Sequence, residues 1–231
     1  MPVTLADMRS AERTVDLRDV AALAAAVGIV GMSYGALAAS AGIPWPLVVG
    51  MSLLVFAGGS QFLAVAVVVA GGAPVAAVAA GLLINLRHLP FGLAIGEVVG
   101  RSWPARLVGA HLLIDENVAL TRSRGTGPRG TRVYWLCGAS LFVAWNLGSV
   151  VGLLAGGRIP DPAVFGVDAA FPAALLALLL PSLRQADARR VGIAAAVLAL
   201  AATPFLPAGV PVLVGLAGLL VALRPAQEVR S

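Results

Sequence analysis

The sequence has few charged residues and no lysine. Charged side chains make up 12% of its 231 residues, and all 16 basic residues are arginine. A soluble domain carries about 25% charged residues, and these residues lie almost entirely on its surface. Here 59% of the residues are hydrophobic. The composition therefore excludes an ordinary soluble domain and indicates a chain surrounded by lipid.

Cysteine and histidine are also scarce. Cys137 is the only cysteine, and His88 and His111 are the only histidines, so an intramolecular disulfide and a metal cluster are excluded. The sequence contains no His-Glu-x-x-His motif, no Gly-x-Ser-x-Gly motif and no phosphate-binding loop with lysine. We therefore expect no enzyme activity, no cofactor and no metal. The net charge of +5 does not indicate nucleic-acid binding, because no arginine-rich face with interleaved aromatic residues occurs.

Long stretches lack acidic and basic residues altogether. The longest lies between Asp19 and Arg87, and two more cover residues 133–157 and 191–223. A spanning helix needs about 20 apolar residues, so the pattern predicts an all-α polytopic membrane protein with about 6–8 transmembrane helices or half-helices in two similar halves. The predicted segments are a tail at 1–19, a first half at 20–99, a connector at 100–132, a second half at 133–223 and a tail at 224–231.

Within the first half we predict a second span at 47–70, followed by two short apolar pieces at 75–84 and 89–99. Residues 106–120 of the connector show apolar residues near helical spacing, which predicts an amphipathic helix lying on the membrane or on a partner. The second half repeats this layout, with an interruption at 203–207. Duplicated halves with interrupted hydrophobic segments are typical of transporters.

The arginines predict the orientation of the chain. All except Arg87 and Arg158 fall in the two tails, the connector and the turn at 184–190. These segments share one side if all the pieces cross the membrane, or if each short pair is a re-entrant hairpin. Arginine in short loops marks the cytoplasmic side, so both termini and the connector are expected in the cytoplasm.

Four polar residues within apolar segments are candidates for substrate binding: Ser60, Gln61, Asn85 and Arg87. Polar groups at membrane depth are costly unless they are paired or hydrated, which favours a functional role. Two structural alternatives stay open. Arg87 and its neighbour could anchor the chain at the lipid–water interface, and Ser60 with Gln61 could join neighbouring helices.

Four titratable residues are candidates for proton coupling: His88, Asp115, Glu116 and Asp168. A histidine titrates near neutral pH, and a carboxylate among apolar residues is a candidate proton carrier. The alternatives are that Asp115 and Glu116 belong to a solvated helix face and that Asp168 caps the start of a helix.

Several of these residues stand in a recognisable pattern. Phe56-Ala57-Gly58-Gly59-Ser60-Gln61-Phe62 followed by Asn85-Leu86-Arg87-His88 resembles the AzlC family, the large subunits of branched-chain amino acid exporters. The resemblance extends to Asp115-Glu116 and to Phe165-Gly166-Val167-Asp168, and so covers most of the chain. It implies export of leucine, isoleucine, valine or methionine across the bacterial inner membrane.

The resemblance also implies a partner, a small hydrophobic AzlD-like membrane subunit. A stripe formed by Gly28, Gly31 and Gly35 offers a surface on which a partner helix, or a helix of the same chain, can pack closely. No ATP site is visible, so we expect a proton gradient to drive transport. The alternatives are a passive channel for small solutes and a membrane scaffold subunit that transports nothing.

Overall fold

The computed structural model describes residues 5–157, 183–207 and 210–223, together with Leu176 and Leu180. These residues form helices and turns, and no strand occurs among them, which confirms the all-α prediction. The helices are α1 (Leu5–Ser40), α2 (Trp45–Leu54), α3 (Gly58–Val69), α4 (Pro74–Asn85), α5 (His88–Val99), α6 (Trp103–His111), α7 (Asp115–Arg124), α8 (Pro128–Gly156), α9 (Ala186–Ala202), α10 (Val210–Gly215) and a 3-10 helix (Leu216–Leu223).

Two of the described helices are long and apolar enough to cross a membrane unaided: Asp16–Ser40 within α1, and α8. They pack side by side and run in the same direction. Near their starts, Asp16 binds Arg129. Near their other ends, the backbone of Gly35 faces that of Ser149. Together these two helices define the two ends of the molecule, the α1 start and the α1 end.

Close contact between α1 and α8 depends on glycine. A Cβ atom on Gly31 would lie 2.7 Å from the carbonyl oxygen of Trp145, and one on Gly35 would collide with the carbonyl oxygen of Ser149. Of the two alternatives for Gly28, Gly31 and Gly35, packing against a helix of the same chain is therefore confirmed, and a surface for a partner subunit is wrong. The stripe is already covered by α8 of the same chain.

The predicted span at 47–70 is not one helix. The helix breaks at residues 55–57, where Phe56 has a φ of 43°, and the two arms face each other across a cavity. Tyr34 contacts both arms, because its hydroxyl donates to the carbonyl of Val48 in α2 at 3.2 Å and its ring lies 5.8 Å from that of Phe62 in α3. Val68, near the end of α3, lines the same cavity as Ile43 in the α1–α2 turn. Residues 45–69 therefore form a re-entrant hairpin, hairpin A, which enters from the α1 end and returns to it.

The next two helices form one broken crossing. The predicted interruption near Asn85 is confirmed, since α4 ends at that residue and α5 begins at His88, with a bend of 47° between them. At its far end, α5 places Val98 against Gly130 near the start of α8. The broken crossing thus runs from the α1 end to the α1 start.

The connector also differs from the prediction. Instead of one amphipathic helix at 106–120, two helices meet at residues 112–114. The last residue of α6, His111, lies against Phe142 at the middle of α8, and α7 returns to the α1 start, where Arg124 binds Asp16. Residues 103–124 form a second re-entrant hairpin, hairpin B. The single-helix interpretation failed because residues 112–114 are apolar and fit the helical spacing, although they turn inward and are buried.

Candidate functional site

The start of α3 is held by two predicted site residues. The Ser60 hydroxyl donates to the carbonyl of Ala57 at 2.9 Å, and Gln61 Oε1 accepts a hydrogen bond from the backbone N–H of the same residue at 3.2 Å. Both side chains are buried. A helix start leaves backbone N–H groups without partners, and Gln61 satisfies one of them. Together with the Ser60 bond to the carbonyl of the same residue, this fixes the turn of hairpin A.

A cavity of about 630 Å³ lies between α2, α3 and α4, within the range of about 300–1,000 Å³ usual for small-molecule sites. It reaches from the α1–α2 turn, at the α1 end, to the break between α4 and α5. Its inner end is polar, with Ser60, Gln61 and Asn85. The remaining wall is almost entirely apolar and includes Ile43, Leu47, Met51, Ala64, Val68, Ala77, Val78 and Leu82.

Two polar atoms of cavity-lining residues lack a hydrogen-bond partner among the described residues. They are Asn85 Oδ1, an acceptor, and Gln61 Nε2, a donor that interacts with the nearby Tyr34 hydroxyl without forming a hydrogen bond to it. Native proteins rarely leave such groups unsatisfied, so each of them calls for a partner such as water or a bound ligand. A donor and an acceptor at one end of an apolar cavity match a ligand that carries both a carboxylate and an ammonium group beside an apolar tail.

Arg87 joins the broken crossing to hairpin B. Its Nη1 atom lies 2.7 Å from Asp115 Oδ2, a bond between the α4–α5 bend and the first residue of α7. The neighbouring His88 has Nδ1 3.1 Å from the carbonyl oxygen of Asn85 and Nε2 4.0 Å from Asp115 Oδ1. The Arg87 guanidinium also approaches the backbone of Gly59 at the start of α3.

The predicted proton-coupling residues are only partly assembled in the structure. His88 and Asp115 lie together at the α4–α5 bend, and Glu116 follows in the first turn of α7, where it is half-buried. Glu116 has no ion-pair partner among the described residues, whereas Asp115 is paired with Arg87. The fourth predicted residue, Asp168, lies outside the described residues.

The turns of the two hairpins meet at one aromatic cluster, which sequence reasoning missed. The ring of Phe56, from hairpin A, lies 6.1 Å from that of His111, from hairpin B. Both contact Phe142 in α8, at 5.0 Å and 5.5 Å. No local pattern marks these residues, because they are far apart in sequence and each sits in an ordinary apolar segment.

Sequence reasoning also missed an ion-pair cluster at the α1 start. Asp16 is buried and binds Arg124 at 2.9 Å, Arg129 at 2.9 Å and Arg132 at 3.4 Å, and Arg124 also binds Asp19. The arginines come from the end of hairpin B and the start of α8. Sequence analysis treated them only as indicators of the cytoplasmic side, because their acidic partners lie more than a hundred residues away.

Comparison with known proteins places the chain within a family. The family model described as AzlC protein matches residues 22–159, a region that contains both hairpins, the broken crossing and α8. An uncharacterized membrane protein of Archaeoglobus fulgidus is 29% identical over 168 residues, which are 69% of this chain and 71% of that protein.

Two bacterial relatives are matched over shorter regions. An uncharacterized membrane protein of Helicobacter pylori strain J99 is 29% identical over 131 residues, 55% of this chain and 57% of its own length. One from Haemophilus influenzae is 25% identical over 134 residues, 57% of this chain and 55% of its own length. The chain thus spans little more than half of these two relatives. No solved structure matches it.

Proposed function

This chain belongs to the AzlC family, and from that premise we propose that it is the large subunit of a secondary exporter for branched-chain amino acids. It works in the bacterial cytoplasmic membrane, with both termini in the cytoplasm and with a small hydrophobic AzlD-like subunit. The resemblance to the family supports the substrate class and the partner, and the arginine distribution supports the orientation.

The observation that carries the proposal is the cavity with one polar end. Leucine, isoleucine and valine are zwitterions with apolar side chains. Gln61 Nε2 donates to the substrate carboxylate, and Asn85 Oδ1 accepts from the ammonium group. The apolar wall formed by α2, α3 and α4 receives the branched side chain, as is usual for pockets that fix a ligand by a few polar groups.

Proton coupling is assigned to the group of residues around Arg87. Asp115 binds the guanidinium of Arg87 when no substrate is present. A substrate carboxylate competes with Asp115, because the planar guanidinium can bind a carboxylate through two parallel hydrogen bonds. His88, which lies 4.0 Å from Asp115, and Glu116, which follows Asp115 in α7, take up the proton. A titratable group at membrane depth without a permanent partner is suited to that role.

A counterflow assay in proteoliposomes tests the proposal, with the chain reconstituted together with its partner subunit. Preloaded leucine should accelerate uptake of labelled leucine. Asn85→Leu should reduce this exchange by about tenfold or more, since a hydrogen bond to a charged group contributes about 1.5–3 kcal/mol. Asn146→Leu is the matched control, because Asn146 is also half-buried but lies on α8 outside the cavity.

The alternatives give different results in the same assay. A passive channel would equilibrate leucine without acceleration by the preloaded substrate. A scaffold subunit would leave the flux at the level given by the partner subunit alone. Either result would contradict the proposed function.

A further inference from the structure

The two re-entrant hairpins are arranged as inverted counterparts. Hairpin A enters from the α1 end and hairpin B from the α1 start, and their turns meet at Phe142. Each carries a buried amide side chain on its returning helix that is bonded back to its own turn. Gln61 binds the backbone of Ala57, and Asn117 donates to the carbonyl of Leu112 at 3.1 Å. Paired elements of opposite direction around a central site are the structural basis of alternating access.

The two hairpins differ in their surroundings. The arms of hairpin A are separated by the cavity, whose wall includes half-buried residues such as Ala64. The returning helix of hairpin B is closed against its neighbours, and Asn117 and Thr121 in α7 are no more than 1% exposed. The structure is therefore open on the hairpin A side of the aromatic cluster and closed on the hairpin B side.

The ion-pair cluster at the α1 start holds the hairpin B side closed. Asp16 bonds to Arg124 at the end of α7 and to Arg129 and Arg132 at the start of α8. A carboxylate that is only 2% exposed and shared by three arginines from two other elements ties those elements together. Separation of α7 from α8 requires these bonds to open.

We propose that hairpin B is the second gate of the transporter and that Asn117 and Thr121 line a second access path between α7 and α8. The Asp16 cluster is the lock that closes this path in the present state. When the lock opens, the path opens towards the α1 start and the cavity of hairpin A closes, because the two hairpins share the contact at Phe142. The inference rests on the proposed transport function, since an alternating path needs a substrate to carry.

Thiol labelling tests the gate directly. Ala64→Cys reports on the cavity and Thr121→Cys on the second path, each introduced into a Cys137→Ala background with the partner subunit present. In that background, with the complex solubilised in detergent so that a charged maleimide reaches both ends of the molecule, Ala64→Cys should react and Thr121→Cys should be protected. Adding Asp16→Asn should raise the labelling rate of Thr121→Cys and lower that of Ala64→Cys, each by about fivefold or more, the usual scale of a coupled two-state shift.

The matched control for Asp16→Asn removes an acidic residue from an ion pair outside the cluster. Asp187 pairs with Arg190 on an exposed helix surface, so Asp187→Asn should change neither rate. If Asp16→Asn prevents insertion, Arg132→Gln decides the question, because it removes only the longest bond of the cluster, at 3.4 Å, and should give a smaller change in the same two directions. Parallel increases at both positions, or no change at either, would overturn the proposal.

Labelling does not require leucine flux, so the two hypotheses can fail separately. Reciprocal labelling without leucine exchange would contradict the proposed substrate but leave the gate intact. Leucine exchange without reciprocal labelling would leave the proposed function intact and exclude hairpin B as a gate.

Discussion

Arg87 combines two features that a simple membrane anchor would not need. It sits at the bend between α4 and α5, and it binds Asp115 from a separate hairpin at 2.7 Å. An arginine that only anchored the chain would extend to lipid phosphates. Here the guanidinium turns towards the start of α3, next to the polar end of the cavity, which favours a role in the site over a role at the interface.

Arg87→Lys should abolish leucine export while the protein still inserts into the membrane. Lysine keeps the positive charge but loses the planar fork that can hold a carboxylate with two parallel hydrogen bonds. The measurement is leucine exchange in proteoliposomes, and Arg190→Lys on the exposed surface is the control. Normal export by Arg87→Lys would return the residue to the role of an interface anchor.

His88→Gln should flatten the dependence of export on external pH. The imidazole lies between the carbonyl of Asn85 and Asp115, and glutamine can replace a hydrogen bond there but cannot carry a proton. Export is measured between about pH 5 and 8, where histidine changes charge. His111→Gln serves as the comparison, because it alters the other histidine of the chain and should retain the pH dependence. An unchanged pH profile in His88→Gln would remove this residue from the coupling group.

At the scale of elements, α1 and α8 form the most extensively packed helix pair among the described residues. The two backbones approach so closely that some glycine positions have no room for a Cβ atom, whereas other glycine positions could hold one. A Cβ atom on Gly28 would meet the Ala144 carbonyl oxygen at an ordinary 3.5 Å, whereas one on Gly35 would collide with Ser149. Small residues at such crossings are the usual means of packing helices in membranes.

Gly35→Ala should therefore destabilise the protein by about 1–3 kcal/mol, the typical effect of overpacking. Gly28→Ala should be neutral within about 0.5 kcal/mol, and it serves as the matched control on the same helix face. The measurement is thermal unfolding in detergent micelles. Equal stability of the two variants would show that α1 and α8 can move apart enough to hold a methyl group at Gly35 with no loss of unfolding free energy.

The sequence predicts some of the breaks between helices and misses others. The break between α4 and α5 was predicted because Asn85, Arg87 and His88 interrupt an apolar run. The turns of the two hairpins were not, because residues 55–57 and 112–114 are themselves apolar. Their positions depend on contacts with α8, such as the rings of Phe56 and Phe142, and such contacts leave no local pattern in the sequence.

For the whole molecule, the arginine distribution predicted that the N-terminal tail and the connector share one side. The structure brings these segments together through the Asp16 cluster, although not every apolar piece crosses in full. In residues 5–157, the crossings are α1, the broken α4–α5 pair and α8, and the two hairpins return to their own ends. Composition predicts which segments are apolar, whereas crossing and returning segments have the same composition.

The path of hairpin A gives a direct test of this topology in cells. In a Cys137→Ala background, Ser40→Cys and Ala73→Cys mark the two ends of hairpin A, and Thr126→Cys marks the turn before α8. Because the hairpin returns to its own end, an impermeant thiol reagent should label Ser40→Cys and Ala73→Cys from the outside, and Thr126→Cys only in inverted vesicles. If residues 47–70 formed a full span, Ala73→Cys would instead label together with Thr126→Cys. That result would contradict the re-entrant hairpin and, with it, the inverted arrangement of the two gates.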